Sequence, residues 1–281
     1  MKITSTFLLF TVIILLTTFT ANAGTRGVVE VEIIEGDSVQ KYYEIYTFDD
    51  KRFRIDFVGE DLKVTGETPY VMTVDGGQQW VMGDKPKERF YCSKVNTEAF
   101  FRNLGNQVTH AVDFFNVKAE SPTVKQVLKE PGPEILGFTT THVRMETNAK
   151  AYAWFLFFKF EYAVKIVDDI WYTTDVEIHP IRKKWLDALT QSGNNIIDGL
   201  FNDYTSKLPG PVLKSESVID ITNVRKNQTK TERQNTVAQK LEEISSEEMD
   251  MIFKMPKCEN MDDDEIQEKG KALFSAGKIM L

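Results

Sequence analysis

Residues 151–167 read AYAWFLFFKFEYAVKIV, and no other stretch beyond the N-terminal segment is as apolar or as aromatic. Its even positions are Tyr152, Trp154, Leu156, Phe158, Phe160, Tyr162, Val164 and Ile166, all large and apolar, while the odd positions mix small, apolar and charged residues. A repeat of two marks a strand with one buried face. Wound as a helix, the same residues would scatter aromatics around the axis among Lys159, Glu161 and Lys165. A membrane span needs about 20 mostly apolar residues; this run is shorter and carries those charges. The spacing therefore predicts a strand. At about 3.3 Å per residue it would be roughly 55 Å long, so a bend, a bulge or a split is expected.

The same alternation runs upstream. Val29, Val31 and Ile33 alternate with Glu30 and Glu32; Tyr42, Tyr46 and Phe48 share a face of VQKYYEIYTF (39–48); Phe53, Ile55 and Phe57 share a face of KRFRIDFV (51–58). YVMTVD (70–75) and QQWVM (78–82) flank Gly76-Gly77, a two-residue hairpin signal, and KERFYCSK (87–94) closes an antiparallel meander. Near residue 95 the period changes: 96–118 places Phe100, Phe101, Leu104, Val108, Val112 and Phe115 at helical spacing, and SPTVKQVLKE (121–130) reads as a second short helix with Pro122 in its first turn. A strand from LGFTTTHVRMET precedes the aromatic run, an Asp168-Asp169 turn follows it, and IWYTTDVEI (170–178) is the next strand. Residues 181–208 are helical in their first half, with Gly193 and Gly199 as interruptions. VLKSESVIDIT returns to strand after Pro209-Gly210-Pro211, 229–245 leans to strand over helix, and MIFKMPKC (251–258) reads as extended.

Lys2, the apolar FLLFTVIILL (7–16) and Ala21-Asn22-Ala23 compose a signal peptide, with cleavage expected after Ala23. No cysteine stands there for lipidation, so a soluble periplasmic or secreted protein is expected. The domain expectation is one unit over 24–258, then an acidic helix or tail over 259–281. The formal net charge of −8 gives little attraction for nucleic acid or anionic membranes. The two cysteines, Cys92 and Cys258, are expected to form a disulfide in an oxidising compartment; two separate buried thiols are the alternative.

Catalytic signatures are missing. His110, His142 and His179 lack a partner at zinc-ligand spacing, and no nucleophile elbow, phosphate loop or dinucleotide fingerprint occurs. Neither a metal nor a cofactor is expected, and the chain reads as a non-enzyme. Asn227-Gln228-Thr229 is a glycosylation sequon. The candidate ligand-binding residues are the aromatics of the alternating strands: Phe53, Phe57, Trp80, Trp154, Phe158, Phe160, Tyr162 and Tyr172. Rigid flat side chains line lipid cavities well, and they fill cores equally well; both readings stay open.

The stretches TVDGGQQWVMGDKPKERFYCSK (73–94), ILGFTTTHVRM (135–145), DIWYTTDVEI (169–178), VLKSESVIDITNV (212–224) and FKMPKC (253–258) resemble uncharacterised exported domains grouped with the periplasmic lipoprotein carriers. The resemblance implies an α+β half-barrel: one strongly curved antiparallel sheet wrapped around or covered by a few helices. It implies a carrier that holds a lipid, a lipoprotein or another apolar ligand on the concave face. The competing expectation is a structural module with a filled core, acting through an envelope protein partner.

Overall fold

The computed structural model describes residues 24–59, 70–84, 89–93, 99, 118–155, 158–191 and 195–261. Alternation governs most of them. Strands β1 (Gly24–Glu35), β2 (Ser38–Phe48), β3 (Phe53–Gly59), β4 (Tyr70–Thr73), β5 (Trp80–Asp84) and β6 (Arg89–Ser93) form an antiparallel meander. The chain then crosses to the far end of the sheet. There β7 (Lys118–Ala119) and β8 (Thr123–Pro131) both pair with β9 (Thr141–Phe155). From β9, strands β10 (Phe158–Tyr172), β11 (Val212–Asn223) and β12 (Gln228–Ile244) walk back until β12 lies along β1. Strand β13 (Glu259–Met261) joins β6 in parallel, the exception in an otherwise antiparallel sheet. The result is a curved, open 13-stranded sheet with helices packed on it, an α+β fold.

Helices α1 (Pro180–Leu189) and α2 (Asn195–Thr205) lie on one face, called inner here. Ile181 of α1 packs among Val29, Val31, Tyr46, Phe53 and Trp80; Tyr204 of α2 and Leu208 just after it pack on Val143, Met145, Ile170 and Tyr172. Helix α3 (Ser246–Ile252) covers the outer face of the first meander, where Met249 and Phe253 meet Tyr70, Met72, Val81 and Cys92. Its start is signalled locally: the Ser245 hydroxyl accepts from the Glu248 amide, and Glu247 and Glu248 stand in the positive first turn. Beneath it, a Cβ on Gly24 would run into the Met249 side chain, which would have to shift to admit it. The Cys92–Cys258 disulfide is formed, with Cα atoms 5.6 Å apart, and it pins the segment after α3 to β6.

Several expectations are corrected. The aromatic run is not one strand. It splits between β9 and β10, which pair from Phe155 and Phe158 onward. Asp168-Asp169 is not a turn but the middle of β10, which ends at Tyr172. Residues 123–131 are strand, not helix: β8 is an edge strand whose residues are exposed apart from the half-buried Val124 and Leu128, so it shows no alternating apolar run. Gly76 and Gly77, at φ +73° and +87°, belong to a longer loop between Thr73 and Trp80. In that loop Asp75 Oδ1 accepts from the Gln78 and Gln79 amides. Residues 251 and 252 are the end of α3 rather than extended chain, and Gly199 lies within α2. Strand β13 continues the sheet past residue 258. The N-terminal segment, nearly all of the 96–118 helix and residues 262–281 lie outside the described residues.

Candidate functional site

The candidate aromatics divide between two places. Phe53, Phe57 and Trp80 are buried in one core with Val29, Val31, Ile33, Phe48, Leu213 and Ala238. Phe53 and Trp80 meet edge to face, with centroids 6.4 Å apart. Helix α1 is fastened over this core by polar contacts. His179 caps it: Nδ1 accepts from the Ile181 amide at 3.2 Å, so Nε2 carries the proton and donates to the Asp49 carbonyl at 2.7 Å. Burial pulls the His179 pKa below its ordinary value, which keeps the ring neutral as that arrangement requires. Lys184 Nζ donates to the Gly76 carbonyl at 2.8 Å. This is a filled, anchored core.

The other half of the face lies on β9–β12. Tyr172 is buried under the end of α2 with Val143, Met145, Ile170 and Val212. Beyond it, Val164, Ile166 and Ile219 form a cluster with Ala149 and Ile221 at its margin. Among the described residues every member of that cluster comes from a strand; no helix contributes. Tyr162, half-buried, continues the inward register of β10, and so do positions 160 and 158 toward the hairpin end. Trp154 stands opposite Lys159 in the β9–β10 register, the class opposite to that of Phe158, Phe160 and Tyr162. The break at residues 156 and 157 thus separates aromatics that a single strand would have kept together.

Alternation missed the polar groups on the inner face. Glu44 is buried opposite Val29 and Phe57, accepts a hydrogen bond from the Tyr46 hydroxyl, and lies within the field of the buried Arg182 of α1. Burial pushes the Glu44 carboxyl up, while Tyr46, Arg182 and Tyr42 pull it back. Asp168 of β10 is also buried; burial raises its pKa to about 7, Ser217 opposes the rise and Asp169 adds to it. The signal was present in each strand. Glu44 shares parity with Tyr42, Tyr46 and Phe48, and Asp168 with Val164, Ile166 and Ile170.

On the outer face, the His142 ring stacks on Trp171 at 4.5 Å, and Lys214 sits over that indole. His142 bridges Glu130 and Asp169, and Arg144 grips Asp169 through two nitrogens. These partners satisfy one another, and among the described residues no group of three His, Cys, Asp or Glu could hold a metal. No helix of the described residues is long and apolar enough to cross a membrane.

Neither a known family profile nor a curated protein sequence matches the chain. Three solved structures are similar at low level. One is PNGF-II, at TM-score 0.38 and 11% identity over 88% of this chain; the chain spans only 32% of its length. The LolA superfamily protein NE2245 from Nitrosomonas europaea is similar at TM-score 0.24 and 6% identity, covering 80% of this chain and 88% of that one. An outer membrane lipoprotein-sorting domain from Vibrio parahaemolyticus is similar at the same score and identity, covering 80% and 86%. At these scores the likenesses lend no function to this chain.

Proposed function

We propose that this chain is a non-enzymatic exported binding protein that holds an apolar or acyl-bearing ligand against the inner face of β9–β11. One observation carries the reading: the Val164–Ile166–Ile219 cluster is buried, yet among the described residues only strands build it. The other three apolar clusters each receive a helix or a segment following one. The inward register of β10 extends this face through Tyr162, Phe160 and Phe158, the candidate contacts retained here. Phe53, Phe57 and Trp80 become core, and Tyr172 the floor beneath α2. Apolar burial at roughly 25 cal/mol per Å² would supply the affinity. The disulfide suits an oxidising compartment.

The alternative, a module acting through a protein partner, draws on that filled core and on the free edge at β8. The edge argues against strand addition: Lys125 and Lys129 lie along it, and a register shift falls between Gln126 and Leu128. Charge and bulges are what natural edges use to prevent pairing. Detergent-free native mass spectrometry of protein from its own export compartment tests the choice. A lipid-mass adduct, absent in a folded Phe158→Asp variant, is expected. A clean apo mass together with no uptake of a fluorescent fatty-acid probe would sink the proposal.

A further inference from the structure

Helix α1 starts with the wrong charges. Arg182, Lys183 and Lys184 follow its first two residues, and its first turn holds no acid. The start of a helix is the positive end of its dipole and favours acids. What closes it is the buried ring of His179, which accepts from the Ile181 amide through Nδ1 at 3.2 Å. The same ring reaches the sheet, where Nε2 donates to the Asp49 carbonyl in the β2–β3 turn at 2.7 Å. One imidazole therefore caps the helix and ties it down.

Both contacts need the neutral ring. A second proton goes to Nδ1 and turns the acceptor into a donor that faces another donor. It also adds one more positive charge to the positive end of α1. Phe48 of β2 and Phe53 of β3 flank the ring, with centroids 5.0 and 6.0 Å away. The carboxylates of Asp49 and Asp50 favour the charged ring, but burial outweighs them. Asp49 is already engaged, because its carboxylate accepts from the Lys51 and Arg52 amides and from Arg52 Nε. Asp50 stands in solvent. On the helix, Arg182 lies in the field of Glu44 and Lys184 donates to the Gly76 carbonyl, while Lys183 is exposed.

We propose that His179 makes α1 an acid-released strap: when the ring gains its second proton, the start of α1 leaves the β2–β3 turn while the sheet stays paired. The sign follows from the two states of the ring. Released, it titrates near the ordinary 6.5; seated, burial holds it lower. Its hold on α1 is therefore complete above about pH 6.5 and is lost as pH falls from there toward the seated value. Burial raises Glu44 and Asp168, which act the other way and favour the folded state in acid. Release uncovers the seat of Ile181 among Val29, Val31, Tyr46, Phe53 and Trp80. The strap lies over the first meander, so it works whether or not β9–β11 holds a ligand.

Hydrogen exchange of the disulfide-bonded protein from about pH 8 to about pH 5 tests the strap, read as protection factors so that the pH dependence of the exchange chemistry cancels. Amides of α1 such as Lys183, which bonds to the His179 carbonyl, should lose protection below about pH 6.5 while β1 and β2 amides keep theirs. The loss should reach at most about tenfold per pH unit, the limit for uptake of one proton. In His179→Asn the asparagine supplies a cap that does not titrate, and α1 protection should be flat over the same range. NMR of the imidazole nitrogens gives a check that needs no variant: the ring should pass from the Nε2–H tautomer to imidazolium in step with the loss in α1. The same pH dependence in His179→Asn overturns the proposal. So does constant protection of α1 in the wild type, or loss of protection by α1 and the sheet together. A ring that gains its proton while α1 stays protected overturns it whatever the variant does.

Discussion

The first meander, β1–β6, and the returning one, β9–β12, use the same alternation and end in different states. The first is covered on both faces, by α1 inside and α3 outside, and its buried polar groups are matched. Glu44 has Tyr46 and the field of Arg182, and His179 uses both ring nitrogens. Among the described residues, the second meander carries an apolar cluster to which only strands contribute, and its buried Thr147 and Thr236 hydroxyls have no hydrogen-bond partner. Interiors that exist only to be stable do not accumulate such groups. The two meanders of one continuous sheet thus differ in how fully their buried polar groups are matched.

Four measurements bear on that contrast. The largest effect belongs to the first meander. The disulfide spans a sequence separation of 166, for which the chain-entropy account gives roughly 5 kcal/mol. Cys92→Ser combined with Cys258→Ser should lower the urea midpoint accordingly; an unchanged midpoint would mean that α3 and β13 hold without it. Arg182→Leu comes next. Leaving Glu44 buried without its cation should cost about 3–5 kcal/mol by chemical denaturation. A neutral outcome would erase the claim that the first meander's polar groups depend on one another.

Asp168 supplies a pH dependence in the second meander. Its carboxyl titrates near 7 in the folded chain against an ordinary 3.8. Between those values the native state keeps a proton that the unfolded chain has released. Its contribution is therefore fully present below about pH 4 and is lost as pH rises through about 7. The span corresponds to at most about 4 kcal/mol. Comparing wild type with Asp168→Asn at about pH 5 and pH 8 should show the wild type losing ground at the higher pH; parallel pH profiles would mean an ordinary carboxyl. The smallest effect has the opposite sign to most core substitutions. Thr236→Val should raise the melting temperature, by an amount equivalent to about 1–2 kcal/mol, because it removes a buried hydroxyl that nothing satisfies. A comparable loss would show that the hydroxyl has a partner in solution and would close the gap between the two meanders.

Much of the first meander was legible because each strand has one apolar face and a charged one, as in Phe53, Ile55 and Phe57 against Arg54 and Asp56. The second was harder to read for a physical reason. The connection between β9 and β10 contains neither Gly, Pro, Asn nor Asp, only Leu156 and Phe157. With no turn residue to mark it, two apolar strands read as one, and the parity of the inward face changed unseen. Asp168-Asp169 misled in the opposite sense. Two adjacent acids look like a turn, yet one points into the sheet and the other pairs with Arg144 outside. Strand β8 lacked alternation because only Val124 and Leu128 are even half-buried and its other residues are exposed. Of the site, Phe53, Phe57, Trp80 and Tyr172 were legible as inward residues, whereas Trp154 falls in the opposite register class. Which of them fill the core under α1 depends on where a helix 100 residues away in sequence comes to rest, and alternation carries no such information.

The bond between Cys92 and Cys258 also gives the molecule an unusual covalent outline. Residues 92 to 258 close into a ring, and β1 to β5 hang from it as a tail whose first strand is threaded back beside β12, a member of the ring. A protease that cuts the backbone once anywhere in that ring, including the connection from β6 to β7, leaves a single linked molecule. The cut stays hidden on a gel until a reductant is added.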